Sequence, residues 1–344
     1  MDNERITENL VRDIIRDLDY NVDGVRIEEQ RSTIDEVAKL LRGASKSGGS
    51  GSGYPEFIIS TLSTPDFILI FECKANVKNH ESPNHDRPAD FAVDGVLHYA
   101  SRLSKSFNVI AIAVSGQTKS ELKVTNYIHP RLASEPKILT NRNKEIVADI
   151  VSLNDYIEHG TFDPEVAQTR VDDLMAFSKE LHNFLRDHAK VTESEKPLII
   201  SGTLIALRNK AFSISFDAYD PSDLQKEWMR VIKEEFTKAD IPHSKEYSMT
   251  QPYSSIAVHP ELGKPTAKYP RGVLYEIIHM LNEKVWPFIS IYHDFDVVGQ
   301  FYGEFLKYTG GDKKALGIVL TPKHITELFS FLANVSSSRI QRKG

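Results

Sequence analysis

A mixed β-sheet flanked by helices, an α/β half, followed by a mostly helical second half is the fold class this sequence predicts. Three observations predict it. Apolar runs of strand length stand at 56–59, 66–74 and 107–115. Segments with apolar residues at three- and four-residue spacing lie before and between them, so the elements run helix, strand, strand, helix, strand. Beyond Pro164 the character changes and long helical patterns take over.

Residues 4–19 open the chain with Ile6, Leu10, Val11, Ile14, Ile15 and Leu18, the stripe of an amphipathic helix. Ser32 with Asp35 three positions later resembles a capping arrangement, so a second helix is expected to start near Ser32 and bury Ile34, Val37, Leu40 and Leu41. Residues 43–53, rich in Gly, Ser and Lys, read as a mobile loop leading into a first strand at 56–59. A second strand is expected at about 66–74, then a polar loop without periodicity at 76–88 and a helix over 89–103. An apolar strand at 107–115 follows, with room for another near 121–128.

The helical patterns of the second half fall at 165–189, 195–211, 222–238, 271–284, 295–308 and 322–334. Pro197, Pro221, Pro270 and Pro322 each stand near the start of one of them, where a missing amide donor costs little. The expected division is 1–160 as the sheet domain, 161–190 as a helical connector and 191–344 as a helical domain. No short-period repeat is present.

At 344 residues the chain has room for two ordinary domains, and 40% hydrophobic with 26% charged residues excludes wholesale disorder. No apolar run reaches the roughly 18–20 residues of a membrane-spanning helix, and the segment Met1-Asp2-Asn3-Glu4-Arg5 lacks a basic lead into an apolar core. The single cysteine, Cys73, excludes an intrachain disulfide framework and a zinc site built mainly from thiolates. Cytoplasm is the expected compartment, with no membrane partner. A net charge of −6 argues against a chain that coats nucleic acid nonspecifically, but a nuclease needs only local basic groups. Lys46, Lys74, Lys78, Arg87, Arg102 and Lys105 surround the candidate site in sequence, either as that local charge or as scattered solvated side chains.

That candidate site is the run Gly53-Tyr54-Pro55-Glu56-Phe57-Ile58-Ile59 followed by Ile68-Leu69-Ile70-Phe71-Glu72-Cys73-Lys74. Side chains on a strand alternate between faces, so Glu72 and Lys74 emerge together and Cys73 on the other side. Burying a carboxylate and an ammonium in an apolar run is costly, and a divalent cation with a hydrolytic water is one way to offset the cost. Glu56 and Glu72 would chelate Mg2+, or Mn2+, with the backbone carbonyl of Cys73 as a further ligand. Lys74 would orient or help deprotonate the water and stabilise charge on the phosphoryl oxygens. Asp66 also follows a proline, but six strand residues place it about 20 Å from Glu72, beyond shared coordination of one ion. An isolated Glu-x-Lys on a strand is more often a pair of solvated charges. Pro55-Glu56 at a suitable separation, the unbroken apolar run and the helix-then-strand context reverse that balance.

Residues 28–117 resemble a PD-(D/E)xK nuclease domain, and in particular the N-terminal endonuclease region of restriction enzymes that join cleavage and adenine methylation in one polypeptide. The phrases that carry the resemblance are Gly53-Tyr54-Pro55-Glu56-Phe57, Glu72-Cys73-Lys74-Ala75, Ala92-Val93-Asp94-Gly95-Val96-Leu97-His98 with Tyr99-Ala100, and Asn108 to Gly116. The usual Asp is Glu56 here, which keeps the carboxylate and moves it by one methylene. Glu29 and Glu36 stand either as the additional helix carboxylate of many such nucleases or as solvated helix charges. Tyr99 lies near DNA or in the core. His80, His85 and His98 match no zinc spacing; loop polarity is expected for the first two and a hydrogen-bonded packing role for His98.

The segments Leu198 to Leu207 and Gly317 to Ile325, with Gly303-Glu304-Phe305-Leu306, make residues 195–335 similar to the helical region that precedes the catalytic core of adenine-N6 DNA methyltransferases. Such enzymes continue into a glycine-containing loop for S-adenosylmethionine and an Asn/Asp-Pro-Pro-Tyr/Phe motif. Neither follows here: Gln251-Pro252-Tyr253 lacks the second proline, and the Gly/Ser run 48–53 leads into a strand rather than a helix. Methyl transfer is not expected from this chain alone, and S-adenosylmethionine only if a complete core is supplied elsewhere. The resemblance implies double-stranded DNA as partner, with a methyltransferase or specificity subunit as a further one. A truncated, split or fragment form is the expectation, and a helical adaptor for a separate methylase the alternative.

Overall fold

The computed structural model of the protein describes residues 3–239 and 242–291, together with residues 301, 303 and 329. The chain divides into two compact units, the first built mainly from Met1–Leu174 and the second mainly from Met175–Trp286.

The first unit is a six-stranded mixed sheet with helices on both faces. Strands β1 (Val25–Glu28), β2 (Phe57–Thr61), β3 (Phe67–Lys74), β4 (Asn108–Ser115), β5 (Lys123–His129) and β6 (Lys137–Ile138) lie side by side in chain order. Neighbouring strands are antiparallel, but β3 and β4 run parallel in the register Phe67 with Asn108 through Lys74 with Ser115. A parallel pair needs a crossover, and α3 (Ala92–Leu103) supplies it. Every residue of β3 and β4 is buried, as expected of strands covered on both faces.

Alternation sorts the side chains. Phe67, Leu69, Phe71 and Cys73 of β3 join Phe57 and Ile59 of β2 on the face covered by α1 (Glu4–Asp17) and α4 (Leu153–Thr161). Ile68 and Ile70 join Ile58 on the other face, under α2 (Asp35–Leu41) and α3. Each such apolar side chain contributes about 1.5–3 kcal/mol by leaving water. The polar residues that close β3 are set into that apolar surround.

Several boundaries differ from the sequence expectation for local reasons. Helix α2 starts at Asp35 with Ile34 in the capping position and no side-chain cap. Ser32 instead donates to Glu28 Oε2 at 2.6 Å and accepts from Ile34 N at 3.1 Å, so it closes the turn before the helix and forms no capping box with Asp35. Strand β1 and helix α4 stand where no element was expected, and a single 3-10 turn, Val77–Asn79, interrupts the polar loop. The loop at 43–53 folds back on itself: Ser45 N donates to Gly51 O at 3.0 Å and Gly53 N to Leu41 O at 2.8 Å. Gly43, Gly48 and Gly49 take positive φ there, which only glycine adopts without strain.

In the second unit, α5 (Pro164–Phe184), begun in the first, ends in a π turn, Leu185–Ala189. Then come α6 (Glu195–Leu207), α7 (Lys210–Ser215), α8 (Pro221–Lys238), α9 (His243–Ala257) and α10 (Val273–Lys284). Pro221 stands in the first turn of α8, as its position in the sequence predicts. Trp228 is fully buried against Gly202, where a Cβ would come within 2.6 Å of the indole, and its Nε1 donates to Thr203 Oγ1 at 3.2 Å. Helix α9 was not expected, and it holds Pro252 in its interior. The helices expected at 295–308 and 322–334, and the phrases 303–306 and 317–325, lie outside the described residues apart from residues 301, 303 and 329. Among the described residues no helix is long and apolar enough to cross a membrane.

Candidate functional site

The β2–β3 register brings the two acids together. Phe57 pairs with Phe71 and Ile58 with Ile70, and Glu56, one residue before β2, comes against Glu72 at the end of that ladder. Glu56 N donates to Phe71 O at 3.0 Å, one residue out of the Phe57–Phe71 register, so the pairing is offset where β2 begins. Like charges this close are unfavourable. At an effective dielectric constant of about 20, two carboxylates about 4 Å apart repel by roughly 4 kcal/mol.

Glu72 is completely buried, whereas Glu56 is partly exposed, so the pair has an inner and an outer member. Small neighbours make the space. Ala113 is the register partner of Glu72 on β4, and a Cβ at Gly95 of α3 would stand 3.0 Å from both Cγ and Cδ of Glu72.

Two ammonium groups answer the negative charge. Lys46, from the folded-back loop, donates to Glu72 Oε1. Lys74 Nζ lies 3.3 Å from the same oxygen and donates to Glu4 Oε1 at 3.0 Å. Glu4 arrives because Thr7 Oγ1, one turn along α1, donates to Gly116 O at 2.8 Å and Lys74 O at 3.3 Å, pinning α1 to the ends of β3 and β4. Both lysines therefore crowd one oxygen. The other, Glu72 Oε2, is buried and meets no hydrogen-bond donor.

The protonation equilibria follow from this geometry. Burial, then the charge of Glu72, pushes the Glu56 carboxyl well above the usual carboxylate range, outweighing Lys46. Burial would lower both lysines, but Glu72 foremost holds each above the ordinary lysine value.

The remaining predicted residues fall into place around this centre. The Cys73 backbone lies against Glu56, whose Oε2 accepts from Cys73 N at 3.3 Å, while its thiol is buried on the opposite face and pushed up by that burial. Tyr99 is buried, its hydroxyl accepts from Tyr54 N at 3.2 Å, and its ring centre stands 5.5 Å from Lys46 Nζ. Burial, then the Glu72 charge, pushes its hydroxyl up to about 12. Glu29 pairs with Arg12 at 2.9 Å on the surface, and Glu36 accepts from Ser106 Oγ at 3.0 Å, so neither is drawn to Glu72.

Asp66 binds Arg170 through both oxygens, at 2.7 and 2.9 Å. His98 bonds Ala44 O at 3.2 Å, the packing role expected of it, and His85 meets Glu81 at 2.8 Å on the surface. His80 corrects the expectation of loop polarity: it is buried, with its ring nitrogens 2.8 Å from Ser115 Oγ and Thr125 Oγ1. Of the basic residues near the site in sequence, Lys46 and Lys74 reach Glu72, while Arg87 pairs with Asp90 at 2.8 Å.

Among the described residues no three His, Cys, Asp or Glu side chains are grouped so as to hold a metal ion. Two close carboxylates with an orphaned buried oxygen nevertheless fit one hard divalent cation completed by backbone oxygen and water. Sequence reasoning found Glu56, Glu72 and Lys74 but not Glu4. It placed Lys46 near the site without its partner. No spacing signal links residues 26 and 70 positions apart.

No protein-family model and no solved structure matches the chain. It is similar to the type II restriction enzyme and methyltransferase RM.BcgI of Heyndrickxia coagulans, with 30% identity over 356 aligned residues that take in 96% of this chain and 53% of that protein. The chain thus spans about half the length of a restriction–modification relative.

Proposed function

We propose that this chain is the Mg2+-dependent DNA endonuclease module of a restriction–modification system, hydrolysing phosphodiesters in double-stranded DNA through a PD-(D/E)xK-type site. The observation that carries the reading is the buried Glu72, close to Glu56, with one oxygen unpartnered and Lys74 beside the other. A divalent cation bound there supplies Lewis acidity and lowers the pKa of water. Glu56, Glu72 and the backbone carbonyl of Cys73 would hold it. Lys74 orients the attacking water and stabilises charge on the phosphoryl oxygens, and Glu4 steers the Lys74 amine. Residues 1–160 form the nuclease domain, 161–190 a connector, and 191–344 the helical lead-in of an adenine methyltransferase whose core lies elsewhere. The similarity to a restriction enzyme and methyltransferase over nearly the whole chain supports that pairing.

One observation favours a second reading. The lack of a third acidic or imidazole ligand among the described residues suits a docking scaffold with a degenerate nuclease fold. Incubating the protein with duplex DNA and Mg2+ or Mn2+, beside Glu72→Ala and Lys74→Ala, separates the two. Cleavage that needs the metal and is lost in both variants supports the nuclease; no cleavage in any condition, with a methyltransferase or specificity subunit added, supports the scaffold.

A further inference from the structure

Lys46 has a place in the site that metal-dependent hydrolysis does not explain. Its ammonium donates to Glu72 Oε1, beside Glu56, and its side chain is only 19% exposed. The loop that carries it is built to deliver it there. Ala44 and Gly53 amides both bond Leu41 O, at 3.1 and 2.8 Å, and Ser45 N bonds Gly51 O at 3.0 Å. Gly53 packs so tightly that a Cβ would come within 2.5 Å of the Tyr99 ring. The loop base is therefore fixed, while Lys46 reaches inward past the Tyr99 ring on a flexible four-carbon stem. Lys74, by contrast, has a second acid, Glu4, to hold it where it is.

Resting on the proposed metal site, we infer that Lys46 is a tethered counter-cation that occupies Glu72 in the metal-free protein and is displaced by the divalent ion. It holds the two carboxylates together until a cation arrives. A dication contacting Glu72 and the ammonium on its Oε1 repel each other strongly at that separation, so occupancy by one disfavours the other. Glu72 keeps its orphaned Oε2 as the entry point for the incoming ion. Once released, the Lys46 amine lies at the partly exposed mouth of the site.

The test is Mn2+ affinity, measured by calorimetry on the whole chain without DNA. Lys46→Met is expected to bind Mn2+ roughly tenfold tighter than the wild type, since a competing charge has gone. Lys46→Arg, which keeps the charge, is expected to stay within about twofold. In the wild type, acetylation read by mass spectrometry is expected to rise at Lys46 when Mn2+ is added, a readout independent of how any variant folds. Equal or weaker Mn2+ binding by Lys46→Met, or Lys46 acetylation unchanged at saturating Mn2+, overturns the displacement while leaving the metal site standing. If neither wild type nor Lys46→Met binds Mn2+, both the displacement and the metal site fall.

Discussion

At the near end of β3, Asp66 follows a proline and accepts from Arg170 through both oxygens and from Asn108 Nδ2 at 3.1 Å, so each oxygen has a donor. At the far end, Glu72 is more deeply buried and worse provided, with two ammonium groups on one oxygen and none on the other. A bidentate guanidinium makes a finished structural contact. An oxygen left without a partner in the interior costs stability unless something outside the chain completes it. The two carboxylates thus separate by what they lack, and a Pro-acid phrase alone does not tell them apart.

That contrast can be broken or sharpened by experiment. The largest effect is expected at the open end: Glu72→Ala should lower metal-dependent DNA cleavage on the order of a thousandfold, measured as initial rate on a plasmid. Asp66→Ala should leave the cleavage rate per folded molecule near wild type, yet cost roughly 2–4 kcal/mol in urea unfolding, because Arg170 is only 6% exposed and loses its carboxylate. Cleavage lost in Asp66→Ala at full stability would erase the distinction.

Gly95→Ala is expected to cost about 1–3 kcal/mol, because its new methyl meets Pro88 O at 2.9 Å as well as Glu72. It should also slow cleavage about tenfold by moving the Glu72 carboxylate from its productive position. Wild-type kinetics in that variant would mean that Glu72 tolerates displacement.

The smallest effect is a pH dependence one strand away. His80 bonds Ser115, the register partner of Lys74, and burial, then Lys123, pushes its imidazole down to about 4 from 6.5. Between those values the unfolded chain takes up a proton that the folded protein refuses. The stability His80 contributes is complete above pH 6.5 and is lost as the pH falls toward about 4. The urea midpoint of the metal-free protein should fall across that window, and the curve should be flatter in His80→Gln.

What could be read in advance followed periodicity. Two-residue alternation put Glu72 with Lys74 and Cys73 apart, and a long apolar run marked β3 as covered on both sides. Strand β1 was invisible because it is four residues long with only Val25 and Ile27 apolar, and it forms as the edge partner of β2. Helix α9 was hidden by Pro252 and a polar sequence; its neighbours α6 and α8 pack against it. Ser32 showed the right spacing for a cap but found a stronger partner in Glu28. Glu4 and Lys46 belong to the site only through tertiary closure: one waits on Thr7 anchoring α1, the other on the glycines that let the 43–53 loop turn back.

The connection at 62–66 joins β2 to β3 at the end farthest from Glu72, and together with the two buried faces it fixes which residue faces which along the hairpin. A one-residue slip of β2 against β3 would carry Glu56 away from Glu72 and send Ile58 to the wrong side of the sheet. A change at this distant bend that shifted the pairing would part the two carboxyls without altering either of them.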